Sequence, residues 1–167
     1  MNFFVAGLPR SRTAWLANFL SYDSFFCFHE GINGCRSMNE YKMKLGTSYG
    51  DSCTGLMILD IEKHFPKAPI VIIESDPMKS AKYAEKTYGI NNPDYFYKLK
   101  DSLDQMNGLR VQYEEIDDNL EKIWRYLHGT AYNEERGNML MKLNIQMQNP
   151  HDINVQAANE LVASIGG

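Results

Sequence analysis

Apolar and polar residues follow one another in short blocks whose periods change along the chain. Phe3–Ala6 is an apolar run that stops at Gly7, which predicts a buried strand. Thr13–Ser21 carries Trp15, Leu16, Phe19 and Leu20 on one helical face. Phe25–Phe28 predicts a second, aromatic strand that ends at His29-Glu30, with Gly31 and Gly34 just beyond. Arg36–Lys44 predicts a helix with its basic side exposed, and Thr47–Gly50 a loop. Gly55–Phe65 sets Met57, Ile58, Ile61 and Phe65 at helical spacing, and Pro66 ends it. Ile70–Ile73, between Pro69 and Asp76-Pro77, is the clearest buried strand. Asp76 as N-cap with Pro77 at the first helical position starts a helix that reaches Tyr88-Gly89.

The second half continues in the same way. Pro93 opens a helix that ends near Asn107-Gly108, and Leu109, Val111 and Tyr113 alternate as a strand does. Asp118 and Glu121 form a capping-box-like pair before a helix that buries Leu120, Ile123, Trp124 and Leu127 and closes at Gly129. Glu134–Lys142 predicts a helix, Leu143–Gln148 a last strand and Ile153–Ile165 a terminal helix. Strands alternating with helices predict an α/β three-layer sandwich around a mainly parallel sheet, with Phe3–Ala6 interior and Ile70–Ile73 beside it. Ligands of such sheets bind at the carboxyl ends of the strands. That rule selects Gly7–Thr13, His29-Glu30, Glu74–Asp76 and Glu114-Glu115.

The length of 167 residues predicts a single domain over 1–167, large enough for a core without metal or disulfide help. With 17 Lys+Arg against 21 Asp+Glu, a net charge of -4 argues against a general nucleic-acid coat protein. Cys27, Cys35 and Cys53 match no paired zinc pattern and are expected to be reduced thiols. The apolar N-terminus is short and meets Arg10 and Arg12 early, unlike a signal peptide, and no run reaches membrane-spanning length. These readings predict a cytoplasmic protein with no metal, no nucleic-acid partner and no membrane partner; oligomeric state is open.

The densest chemistry lies in Gly7-Leu8-Pro9-Arg10-Ser11-Arg12-Thr13, between the first strand and an amphipathic helix. Unpaired N–H groups at a helix start make an anion site with the helix dipole. Ser11 and Thr13 add hydroxyl donors, and Arg10 and Arg12 add forked, charged donors suited to phosphate or sulfate. The segment is not a Walker A sequence. From Gly7, the positions expected to hold Gly, Lys and Ser/Thr hold Arg12, Thr13 and Ala14, which argues against ATP hydrolysis and a kinase.

Pro9-Arg10-Ser11-Arg12-Thr13-Ala14-Trp15-Leu16 resembles the phosphosulfate-binding loop of the sulfotransferases, with Arg12 in place of the usual Gly and Ala14 in place of a second Thr. Pro69–Pro77 resembles the family's apolar strand leading into an Arg-Asn/Asp-Pro helix start, and Leu109–Gly129 its late strand, acidic turn and helix. Gly46–Ser52 resembles a loop of remote members. The resemblance covers Met1–Gly129 in pieces, with only the first loop specific. It implies a P-loop, sulfotransferase-like fold and sulfuryl transfer from 3′-phosphoadenosine 5′-phosphosulfate (PAPS) to a hydroxyl or amine acceptor. Gly7, Pro9, Arg10, Ser11, Arg12 and Thr13 would then hold this nucleotide-type donor, and Arg10 would neutralise its bridging and leaving oxygens. Ser75 stands where the family has an arginine for the donor's 3′-phosphate; Ser80, Lys79 or Lys82 are candidates to substitute.

Glu30 and His29 are the candidates for the base. The resemblance ranks Glu30 first, since glutamate-dependent members carry theirs close to this place. Histidine suits the role because it ordinarily titrates near neutrality. Tyr95-Phe96-Tyr97 is an aromatic patch that reads as helix core or a stacking surface. Arg136 reads as part of a solvated charge run, and His64, His128 and His151 as structural or exposed. The alternative to an enzyme is a binding module that holds a nucleotide or phosphate without turnover.

Overall fold

The computed structural model describes residues 1–142; the strand expected at 143–148, the helix expected at 153–165 and His151 lie outside them. Five strands form one sheet in the order β2-β3-β1-β4-β5, and every pairing is parallel. They are β1 (Phe4–Gly7), β2 (Cys27–His29), β3 (Gly50–Cys53), β4 (Ile70–Glu74) and β5 (Leu109–Gln112). Seven helices connect them among the described residues: α1 (Thr13–Leu20), α2 (Met38–Leu45), α3 (Ile61–His64), α4 (Pro77–Tyr88), α5 (Pro93–Asp104), α6 (Leu120–His128) and α7 (Glu134–Met141). β1 is central, with Ala6 opposite both Cys53 of β3 and Ile72 of β4.

Side chains of successive strand residues point to opposite faces, so the central strands β1 and β4 feed two cores. Phe3, Val5, Val71, Ile73 and Val111 pack with α1, α6 and Leu140 of α7. Phe4, Ala6, Ile70 and Ile72 pack with α2, α3, α4 and α5. The result is the three-layer α/β arrangement the alternation predicts.

The helix punctuation follows local chemistry. Asp76 caps α4 by accepting from the Met78 N–H at 2.9 Å, and Gly89 ends it in the left-handed region at φ 68°. Gly129 ends α6 in the same way at φ 67°. Among the described residues no helix is long and apolar enough to cross a membrane.

Several local expectations are corrected. Gly50, read as the end of the Thr47–Gly50 loop, instead opens Gly50–Cys53, a fully buried strand between β1 and β2. Its polar side chains are satisfied internally, so it carries no apolar signal. The second strand begins at Cys27 rather than Phe25; Phe25 instead stacks on His128 at 3.8 Å. The helix expected over 55–65 is broken into a 3-10 turn, Leu56–Ile58, and α3, because Asp60 turns left-handed at φ 52°. The Asp118–Glu121 box does not form; Glu121 pairs with Arg125 at 2.8 Å, and α6 starts after Asn119 without a side-chain cap.

Arg136 is not solvated. It is buried, and its guanidinium donates to the carbonyls of Asn18, Phe19 and Ser21, closing the C-terminal end of α1. Burial lowers its pKa to about 10. The aromatic patch divides: Phe96 is core, while Tyr95 and Tyr97 are exposed.

Candidate active site

The carboxyl ends of β1, β2 and β3 meet the start of α1. Gly7 ends β1, and the chain folds back at once: the Ser11 N–H donates to the Leu8 carbonyl at 3.1 Å. The fold-back needs a glycine, since a Cβ on Gly7 would stand 2.9 Å from Ser11 Cβ. Arg10 and Arg12 both lie in the left-handed region, at φ 74° and 59°. Such backbone costs of order 1–3 kcal/mol per non-glycine residue. It explains why a glycine suits position 12 in the resembling pattern, and why its replacement here is strained.

The loop is fixed from beneath. Ser80 Oγ donates to the Pro9 carbonyl at 2.6 Å, and the buried Ser11 hydroxyl shares a 2.9 Å hydrogen bond with Ser75. Ser80 is therefore an anchor of the loop. Lys79 is engaged by Glu114 at 2.7 Å on the surface.

Arg12 is the N-cap residue of α1 and supplies no side-chain cap, so the first-turn N–H groups of Thr13, Ala14 and Trp15 face outward without a side-chain acceptor. The two arginines diverge. Arg10 lies 4.6 Å over the ring of Tyr83 on α4. Arg12 lies 4.5 Å over Trp15 and pairs with Asp117 Oδ1 at 2.7 Å. Two guanidiniums that point apart therefore lie beside the uncapped, positive end of an eight-residue helix.

The second expected cluster is built by β3. His29 Nδ1 lies 3.0 Å from the Ser52 carbonyl. A carbonyl only accepts, so Nδ1 carries the proton and the neutral ring keeps its lone pair on Nε2. Ser52 in turn donates its hydroxyl to the Thr13 carbonyl at 2.8 Å, which ties this strand end to α1. Glu30, at φ 55°, has a different environment. Its Oε1 accepts from the Thr54 N–H at 2.9 Å and the Thr54 hydroxyl at 2.8 Å, and its Oε2 lies 3.1 Å from Cys53 Sγ. Its carboxylate is committed to holding the turn.

Below the turn lies a group that sequence reasoning missed. Asp51, fully buried in β3, accepts from Tyr41 Oη at 2.6 Å and from the Gly31 N–H at 2.9 Å. Burial, with a smaller contribution from Glu30, pushes its pKa up to about 7 against those two hydrogen bonds. Burial also raises the Cys27, Cys53 and Tyr41 pKa values, so these groups stay protonated. Among the described residues no cluster of His, Cys, Asp and Glu is arranged to hold a metal ion.

No family model matches the chain, and no curated protein matches it in sequence. Among solved structures, mouse sulfotransferase SULT7A1 complexed with PAP matches with a TM-score of 0.57 at 17% identity, covering 89% of this chain and 69% of that one. The fold is sulfotransferase-like. At this identity the likeness concerns the path of the backbone; the loop, the His29–Glu30 turn and Asp51 stand on their own geometry.

Proposed function

We propose that this protein transfers a sulfuryl group from PAPS to a hydroxyl or amine acceptor. The observation that carries the reading is the β1–α1 loop, with outward first-turn N–H groups and divergent arginines at the mouth of a sulfotransferase-like fold. The neighbouring structure's complex with PAP supports a nucleotide of this class. In this reading the loop's backbone N–H groups and a guanidinium, both suited to tetrahedral oxyanions, hold one phosphosulfate-like group.

In this reading Arg10 swings from Tyr83 to neutralise the charge that grows on the leaving oxygen, a preorganised electrostatic role. The helix start holds the 5′-phosphate. His29 Nε2 takes the acceptor's proton as its oxygen or nitrogen bonds to sulfur and the bond from sulfur to the leaving phosphate oxygen breaks. His29 takes this role ahead of Glu30 because three donors from Thr54 and Cys53 already engage both Glu30 carboxylate oxygens. Glu30 then keeps the turn in place.

One observation favours a second reading, a binding module without turnover. Ser75 shares its hydroxyl with Ser11 and offers no cation for a 3′-phosphate. Transfer assays from PAPS to a panel of hydroxyl and amine acceptors, beside calorimetric titrations with PAP, ADP and ATP plus magnesium, separate the two. The enzyme reading expects tight PAP binding and transfer to at least one acceptor class. Tight binding of PAP without transfer across the panel supports the module, binding of ADP or ATP without PAP overturns the sulfotransferase reading alone, and binding of none of the three overturns both.

A further inference from the structure

The turn that carries His29 is held by four consecutive residues, Asp51–Thr54, three of them in β3 and the fourth just beyond it. Ser52 accepts from the His29 ring and, at 3.2 Å, from the Glu30 N–H. Cys53 and Thr54 hold the Glu30 carboxylate. Asp51, the first of the four, holds the Gly31 N–H, and it is the most costly to keep. It is an acid with no solvent exposure and no ion pair among the described residues. Burying such a group unpaired is unfavourable, and an apolar residue would fill a central strand at less cost.

The surroundings are shaped to the carboxylate. Gly31 approaches so closely that a Cβ there would stand 3.1 Å from Asp51 Oδ2 and 2.8 Å from Phe28 Cβ. Glu30, just before it, is held in the left-handed region that only a well-determined neighbourhood sustains.

We propose that Asp51 is a positioning residue for His29: by fixing the Gly31 N–H from below, it locks the turn so that His29 keeps its Nδ1–H bond to Ser52 and presents Nε2 to the site. The proposal rests on the reading of His29 as proton acceptor, but its structural half does not.

The titratable groups facing Asp51 are Tyr41 from α2, Glu30 from the turn, Cys27 from β2 and Cys53 from its own strand; none is a cation. Protonation leaves both contacts intact. Oδ1 still accepts from Gly31, and the new Oδ2–H donates to Tyr41 Oη instead of accepting from it. An asparagine reproduces this pattern, with Nδ2 as the donor to Tyr41. The lock therefore works on either side of neutrality, and Asp51→Asn conserves it while Asp51→Ala removes it.

The test uses the full chain labelled with ¹⁵N at histidine, read by imidazole NMR at pH 8. Wild type and Asp51→Asn are expected to show the pure Nδ1–H form of His29, and Asp51→Ala a mixture of tautomers. In a transfer assay Asp51→Ala lowers kcat at least tenfold with KM for PAPS unchanged, and Asp51→Asn restores it. Should Asp51→Ala fail to fold, the double variant Tyr41→Phe, Asp51→Val removes the acid together with its hydroxyl donor and gives the same readout. A pure Nδ1–H form in the variants that lack the acceptor overturns the proposal, as does an Asp51→Asn that behaves like Asp51→Ala. If wild type neither transfers nor binds PAP, the sulfotransferase reading falls while the tautomer result still decides the role of Asp51 as a brace.

Discussion

The connections that follow β1 and β2 are built from the same strained backbone and use it in opposite ways. After β1, Arg10 and Arg12 adopt left-handed conformations, and the N–H groups beyond them face outward. After β2, Glu30 adopts the same conformation, and both its carboxylate oxygens are engaged by Cys53 and Thr54 at the end of β3. One connection keeps hydrogen-bonding capacity in reserve and the other uses its own. A reserve of donors at a helix start is what an anion requires. A saturated turn instead supports a neighbour, and the neighbour here is His29. The difference teaches that a carboxylate at a strand's carboxyl end is not available merely by being there; its partners decide.

Exchanging the polar groups of the two connections one at a time tests the contrast. The largest effect is expected at His29. His29→Asn should lower turnover by roughly 10²–10⁴-fold with PAP affinity unchanged, because general-base catalysis contributes about that much. Glu30→Gln should act on stability instead, lowering the unfolding free energy by about 1–3 kcal/mol through lost charged hydrogen bonds. The paired glycines come next. Gly7→Val drives a side chain into Ser11 and should weaken PAP binding at least tenfold. Gly31→Ala meets Phe28 and Asp51 and should lower the melting temperature while PAP affinity stays within twofold.

Two shielded titratable groups, fully buried Asp51 and half-buried His128, lie on opposite faces of the sheet. Burial among Phe3, Phe25 and Trp124 lowers the His128 pKa to about 4. The folded state then binds fewer protons than the unfolded one between pH 6.5 and 4, so this group's stability is full above pH 6.5 and lost as pH falls to 4. Asp51 has the opposite sign. Its folded pKa is raised to about 7, so its contribution is full below pH 3.8 and lost as pH rises through 7. Each spans roughly 3–4 kcal/mol at most, at 1.36 kcal/mol per unit. Together they flatten the stability profile between pH 4 and 6.5. Asp51→Asn should expose the acid-side loss of His128 as a falling melting temperature below pH 6.5, and His128→Phe should abolish that fall.

The smallest effect is expected at the rim. Asp117 is half exposed, so its pair with Arg12 adds about 0–1 kcal/mol of stability. Asp117→Asn should leave the melting temperature within about a degree, raise PAP affinity a few-fold and alter Trp15 fluorescence as Arg12 leaves its ring.

The legible parts of this fold were those written in apolar runs and breakers. Ile70–Ile73 announces β4 because it is buried on both faces, and Asp76-Pro77 and Gly89 announce the ends of α4 by their backbone preferences. The β1–α1 loop stood out as a candidate because its donors are consecutive. β3 was not, since Gly-Asp-Ser-Cys is buried through hydrogen bonds to Tyr41, Gly31 and Thr13 rather than through apolar side chains. The same cause hid Asp51. A polar residue in a short polar stretch looks like loop until a partner ten positions away, Tyr41, is seen to face it. Arg136 was misread because its partners are backbone carbonyls of α1, far away in sequence.

The central claim is that the β1–α1 loop is a nucleotide phosphosulfate site with Arg10 as its mobile charge. Calorimetric titration of wild type, Arg10→Ala and Lys98→Ala with PAP tests it most directly, Lys98 being an exposed charge on α5. The account predicts that wild type binds PAP at least tenfold more tightly than ADP, that Arg10→Ala loses at least tenfold, and that Lys98→Ala matches wild type. Equal losses in the two variants, or no binding of PAP by wild type, would contradict it.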